Sequence, residues 1–152
     1  MRTATAAIAT TTDALRRRCE RGGQTAGRRA RFGCRRALAA NGQELHAPRL
    51  MVAEVANALW RKARQGQIKR ADAGAAMAAL SDIPVRWNDD ETVGADAARL
   101  ALDHPVYDCV YLALAHRIGA TVVTADRRFA NGVAPSEHGE SVLTLADYAQ
   151  TR

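Results

Sequence analysis

The sequence predicts an α/β fold: three layers, with a parallel sheet of four to five strands and helices on both faces. Three observations predict it. Across residues 43–150 short strand-like runs alternate with helical patterns, the order that produces a parallel sheet. The run Thr121, Val122, Val123 is too short for a helix and typical of a buried parallel strand. The helix ahead of it carries Val110, Leu112, Ala113, Leu114 and Ala115, so it is nearly buried.

A chain of 152 residues is one domain by length, with room for a sizeable core. At 47% hydrophobic but only 5% aromatic residues, that core is built from Ala, Leu and Val. The net charge of +6 suggests affinity for nucleic acid, but its distribution corrects the impression. Residues 1–50 hold eleven Arg against three acids, a net of +8, and the remainder is net −2. The chain therefore divides into an atypical Arg-rich segment, 1–36, and an α/β domain, 37–152. Cys19, Cys34 and Cys109 are odd in number and lack metal-type spacing, which suits a reducing cytoplasm. No apolar run approaches the ~18 residues of a membrane span. The N-terminus lacks the apolar centre of a secretory signal.

In chain order, residues 4–12 offer Ile8 and a Thr run as a poor strand. Residues 16–36 contain nine Arg and four Gly with no period of 2 or 3.6, which reads as a flexible cationic arm. A short helix ends at Gly42, and residues 43–47 form a strand closed by Pro48. Residues 50–65 form a helix with Val52, Val55, Ala56, Leu59 and Trp60 on one inward stripe, ended by Gly66. Residues 71–80 form an Ala-rich helix and 83–87 a brief strand. Asn88 or Asp89 caps a helix running to 103, with Val93, Ala97, Leu100 and Ala101 inward. Pro105 opens the buried helix and Gly119 stops it. After the strand at 121, residues 130–139 read as loop, 142–145 as a last strand and 146–150 as a last short helix.

Three carboxylates are the candidates for chemistry. Asp126 follows the carboxyl end of a strand, where open α/β sheets place their sites. Asp108 lies in the first turn of the buried helix, within reach of the same crevice. Glu54 sits beside an apolar stripe, where an acid normally needs a partner or a metal. The bland readings are acids answering a helix dipole for Glu54 and Asp108, and a turn residue for Asp126. Thr124, two before Asp126, points to the same side and can hold it; Asn57, one turn after Glu54, can orient it. Tyr107, Asn131, Arg127 and Arg128 stand behind these acids or on the substrate side. His46, His104, His116 and His138 are scattered and read as no metal site. Clustered carboxylates are hard oxygen ligands suited to Mg²⁺ or Mn²⁺, which keep several waters and take few protein ligands. No Walker loop, nucleophile elbow, zinc spacing or dinucleotide fingerprint competes.

The stretch HPVYDCVYLALAHRIGATVVTADRRFAN resembles the C-terminal half of a PIN domain of the VapC toxin type. ELHAPRLMVAEVANALWRKARQGQI resembles the second strand and following helix of that domain, with Glu54 at the place of its helix-borne glutamate. The resemblance covers residues 43–150. It implies a Mg²⁺- or Mn²⁺-dependent endoribonuclease toxin acting on a structured RNA, paired with a VapB-like antitoxin, homodimeric and cytoplasmic. It further implies that Asp108 binds metal directly, that Glu54 and Asp126 bind it or its waters, and that Thr124 supports them. Two rivals remain: a catalytically dead PIN-like domain that binds antitoxin, and an RNA-binding protein using the Arg-rich arm.

The resemblance fails near the N-terminus, where the family carries a first strand ending in an aspartate. In this chain that place falls at Arg18 and Cys19, inside RRRCERGGQTAGRRARFGCRR. Such composition is what GC-rich DNA yields out of frame. Allowed codons for Arg16 to Gln24, read one base on, give V-V-D-A-S-V-A-V, a strand ending in an acid. The other reading makes residues 4–12 a substitute first strand and Asp13 the first acid, a fourth candidate metal ligand.

Overall fold

The computed structural model describes residues 5–9, 44–100 and 106–150. Five strands form one sheet: β1 (Thr5–Ala9), β2 (Glu44–Pro48), β3 (Val85–Asn88), β4 (Thr121–Thr124) and β5 (Val142–Thr144). Among the described residues six α-helices accompany them: α1 (Leu50–Arg64), α2 (Arg70–Ala78), α3 (Glu91–Arg99), α4 (Val106–Ile118), α5 (Arg127–Val133) and α6 (Leu145–Gln150). The strand order is β3-β2-β1-β4-β5, and every pairing is parallel.

The register aligns the strand ends. Ala9 lies level with Thr124, Thr124 with Thr144, and Pro48 with Asn88. The strands therefore end together along one edge of the sheet. Adjacent residues of a strand face opposite sides. Val122 is 0% and Val123 1% exposed, so both faces of β4 are covered.

Helix α4 is the most enclosed element. Its residues from Cys109 to Ala115 are all buried, as the sequence predicts. Tyr111, Leu112 and Ala115 join the strands, Met51 and Phe129 in the main core. Cys109, Val110, Ala113 and Leu114 pack with Val93 and Ala97 of α3 in a second cluster. Each fully buried aliphatic side chain of this kind contributes about 1.5–3 kcal/mol. The helix stops at Gly119, whose φ of +64° suits glycine, and the Ala120 amide donates to the Ala115 carbonyl at 2.8 Å.

Several elements depart from expectation. The stripe assigned inward on α1 is largely outward: Val52 is 39% and Trp60 55% exposed. Met51 and Ala58 are the buried apolar residues, because α1 turns that face to the core while Ala56, Leu59 and Trp60 border a groove shared with α2. The expected loop at 130–139 is in part helical, since Asp126 caps α5. Helix α3 begins after Asp90 rather than after Asn88 or Asp89, and the Asn88 backbone belongs to β3. Strand β1 falls within the segment read as a substitute first strand, at the centre of the sheet. The Arg-rich stretch, the helix before Gly42, Ala101, His104, Pro105 and Asp13 lie outside the described residues.

Candidate active site

Topology decides which side chains meet. All strands end at one edge, so an element leaving a strand starts there. Helix α1 follows β2, α3 follows β3, and α5 follows β4. Helix α4 runs into the start of β4, so its own first turn lies at that same edge. Glu54, Asp90, Asp108 and Asp126 are thereby brought to one side of the molecule.

Glu54 and Asp108 are both half-buried. The Tyr111 hydroxyl donates to Glu54 Oε2 at 2.5 Å, bridging α4 and α1. Tyr111 follows Asp108 by three residues, which sets both on one side of α4. Burial holds the Glu54 carboxyl above its ordinary range, and the charges of Asp108 and Asp90 push it the same way. The hydrogen bond from Tyr111 opposes them. Burial, then its bond to Glu54, pushes the Tyr111 hydroxyl far up.

Asp90 belongs to this group although its sequence suggests only a helix start. It stands at the N-cap of α3, yet its side chain makes no capping hydrogen bond. Its Oδ1 is buried and finds no hydrogen-bond partner among the described residues. An acid that leaves the helix end unserved and carries an orphaned oxygen suits a cation.

Asp126 is committed to structure on one oxygen. Its Oδ1 accepts from the amides of Arg128 at 2.7 Å and Phe129 at 3.1 Å, capping α5. Its own amide donates to Thr124 Oγ1 at 3.0 Å, and Thr124 is fully buried. Arg127, Arg128, Asn131 and Tyr107 are exposed. Asn57 is exposed too, and the hydrogen bond that reaches Glu54 comes from Tyr111.

The His116 and His138 rings stand 4.9 Å apart at 51°, and His46 faces Asn88 at 3.3 Å. Burial, then the His138 charge, holds the His116 ring below its ordinary value. Among the described residues no group of three or more His, Cys, Asp or Glu closes into a cage. Mg²⁺ is held by one or two carboxylates and keeps most of its waters. Glu54, Asp108 and the orphaned Asp90 oxygen supply donors of the right hardness and charge.

Sequence reasoning missed Tyr111 and Asp90. The three-residue spacing from Asp108 could have flagged Tyr111. Nothing in NDDE separates a capping acid from one that turns away from its helix.

Comparison with known proteins bears on this arrangement. Residues 25–133 match the PIN domain family. The chain is 39% identical over 92 residues to Ribonuclease VapC3 of Pyrobaculum aerophilum, covering 58% of this chain and 70% of that protein. The crystal structure of PAE2754 from Pyrobaculum aerophilum superposes with a TM-score of 0.55 at 18% identity, over 97% of each chain. At that identity the likeness is one of fold.

Proposed function

Because this chain belongs to the PIN-domain family, we propose that it is a Mg²⁺-dependent endoribonuclease, the toxin of a toxin–antitoxin pair. The observation that carries the proposal is the convergence of Glu54 and Asp108, with Asp90, at the carboxyl edge of the sheet. Mg²⁺ or Mn²⁺, when bound, supplies a Lewis acid that activates water and neutralises charge on the phosphodiester under attack. The chain's own residues do the rest. Asp108 and Glu54 hold the cation, and Asp126 adds charge beside β4 while fixing the start of α5. Thr124 holds the backbone of Asp126. Arg127 and Arg128, exposed next to it, suit the phosphates of a structured RNA.

The partner is a VapB-like antitoxin, and the chain acts in the cytoplasm as a homodimer. No helix among the described residues is long and apolar enough to cross a membrane.

Activity in this chain is reduced. Strand β1, with the sequence TAAIA, carries no acid, and the next in sequence is Asp13. The test is incubation of total RNA with the full chain in Mg²⁺ and in EDTA. Slow cleavage in Mg²⁺ that stops in EDTA is expected. Binding of an antitoxin with no cleavage in any divalent metal would favour the catalytically dead reading. RNA affinity that disappears on deleting residues 16–36, with no effect of Mg²⁺, would favour RNA binding through the arm.

A further inference from the structure

We propose that Tyr111 is a positioning residue of this site: its hydroxyl fixes Glu54 through Oε2 and leaves Oε1 for the cation. The inference rests on the reading of Glu54 and Asp108 as cation ligands and adds a residue to it. Tyr111 is fully buried, and its ring sits in the main core with Met51 of α1, Leu112 and the strands. A ring locked on all sides makes a rigid arm. Its hydroxyl needs an acceptor inside the protein, because a buried donor left unpaired is costly. The acceptor at 2.5 Å is Glu54, on the neighbouring helix.

The arrangement has two consequences for a cation. First, Asp108 and Tyr111 are carried one turn apart by the same enclosed helix. The position of Glu54 relative to Asp108 is thus set by α4, rather than by the freedom of a Glu side chain on a helix surface. Second, a hydrogen bond donated to Oε2 fixes the orientation of the carboxylate and so the direction in which Oε1 faces. The hydrogen bond to Glu54 comes from Tyr111, whereas Tyr107 is 64% exposed and Tyr148 belongs to α6.

A residue of packing value alone is the competing explanation, and a double-mutant cycle separates the two. Mn²⁺ is titrated calorimetrically into the full chain, Tyr111→Phe, Glu54→Gln and the double variant. Phenylalanine keeps the ring and removes only the hydroxyl. Tyr111→Phe is expected to weaken Mn²⁺ binding at least fivefold in the wild-type background and less than twofold once Glu54 is Gln. An equal loss in both backgrounds overturns the proposal, because the hydroxyl then acts independently of Glu54. No loss in Tyr111→Phe beside a clear loss in Glu54→Gln also overturns it, while the reading of Glu54 stands. A wild-type chain that binds no Mn²⁺ overturns both. A measurement on the unaltered chain covers the case in which Tyr111→Phe does not fold. With ¹³Cζ-labelled tyrosine, saturating Mg²⁺ should shift the Tyr111 signal and leave that of Tyr148 in place. An unmoved Tyr111 signal overturns the proposal.

Discussion

At the scale of single residues, charge held near the core governs the site. Glu54 is an acid whose folded pKa lies above its ordinary value near 4.5, chiefly through burial. For such a group the folded state binds the extra proton, so its contribution to stability is present below that value. It is lost as pH rises through the raised pKa. Glu54→Gln cannot titrate. Its metal-free melting temperature should therefore gain on wild type as pH is raised from about 4 toward 7, a trend that thermal melts at several pH values will show. Asp90 gives a second case. Its Oδ1 is buried without a partner among the described residues, so Asp90→Asn should leave the metal-free protein as stable as wild type or more so, by urea unfolding. Asp108→Asn removes a charge and keeps the shape. RNA cleavage should fall by about 100-fold or more, the scale for losing one charge-stabilising group, with the circular dichroism spectrum unchanged. Glu54, Asp108 and Asp126 were legible as candidates because acids beside apolar stripes and strand ends stand out. Tyr111 was not, because a tyrosine in an apolar run reads as core, and here it is core and hydrogen-bond donor together.

Elements were legible where a single period ruled them. Helix α4 and strand β4 follow from apolar runs bounded by Gly119 and the turn at Ala125, and their bounds differ little from expectation. Helix α1 was found, but its inward face was not. Its apolar residues serve two surfaces, the core through Met51 and Ala58 and the groove beside α2 through Leu59 and Trp60. A hydrophobic stripe alone does not say which neighbour it meets. Helix α5 is hidden in the sequence because an Asp after a strand reads equally as a site or a turn, whereas here it caps a helix. Its double role separates by substitution. Asp126→Ala loses the hydrogen bonds to Arg128 and Phe129 and should cost about 1 kcal/mol of stability. Asp126→Asn, an equally good cap, should keep that stability and still lose cleavage. Equal cleavage by Asp126→Asn and wild type would leave Asp126 with the cap alone.

For the whole molecule, five parallel strands ending along one edge explain why acids far apart in sequence share a face. The alternation of strands and helices made that architecture legible. The central position of β1 agrees with the reading of residues 4–12 as a substitute first strand, although TAAIA has little β-propensity and the sheet around it sets the conformation. Sequencing the gene bears on the segment after β1. A single-base shift between codons 4 and 37 that restores a strand like V-V-D-A-S would make the Arg-rich stretch an out-of-frame product. Its absence would leave Asp13 as the leading first acid. The claim that unites these scales is that Glu54 and Asp108 hold a divalent cation. It is tested most directly by the melting temperature of the full chain as Mn²⁺ is raised to millimolar levels. Binding to the folded state alone should lift it, by about 2.7 kcal/mol of stability at a hundredfold excess over the dissociation constant. This rise is predicted in the wild-type chain, together with its disappearance in Asp108→Asn. No rise in wild type, or the same rise in both proteins, would contradict the claim.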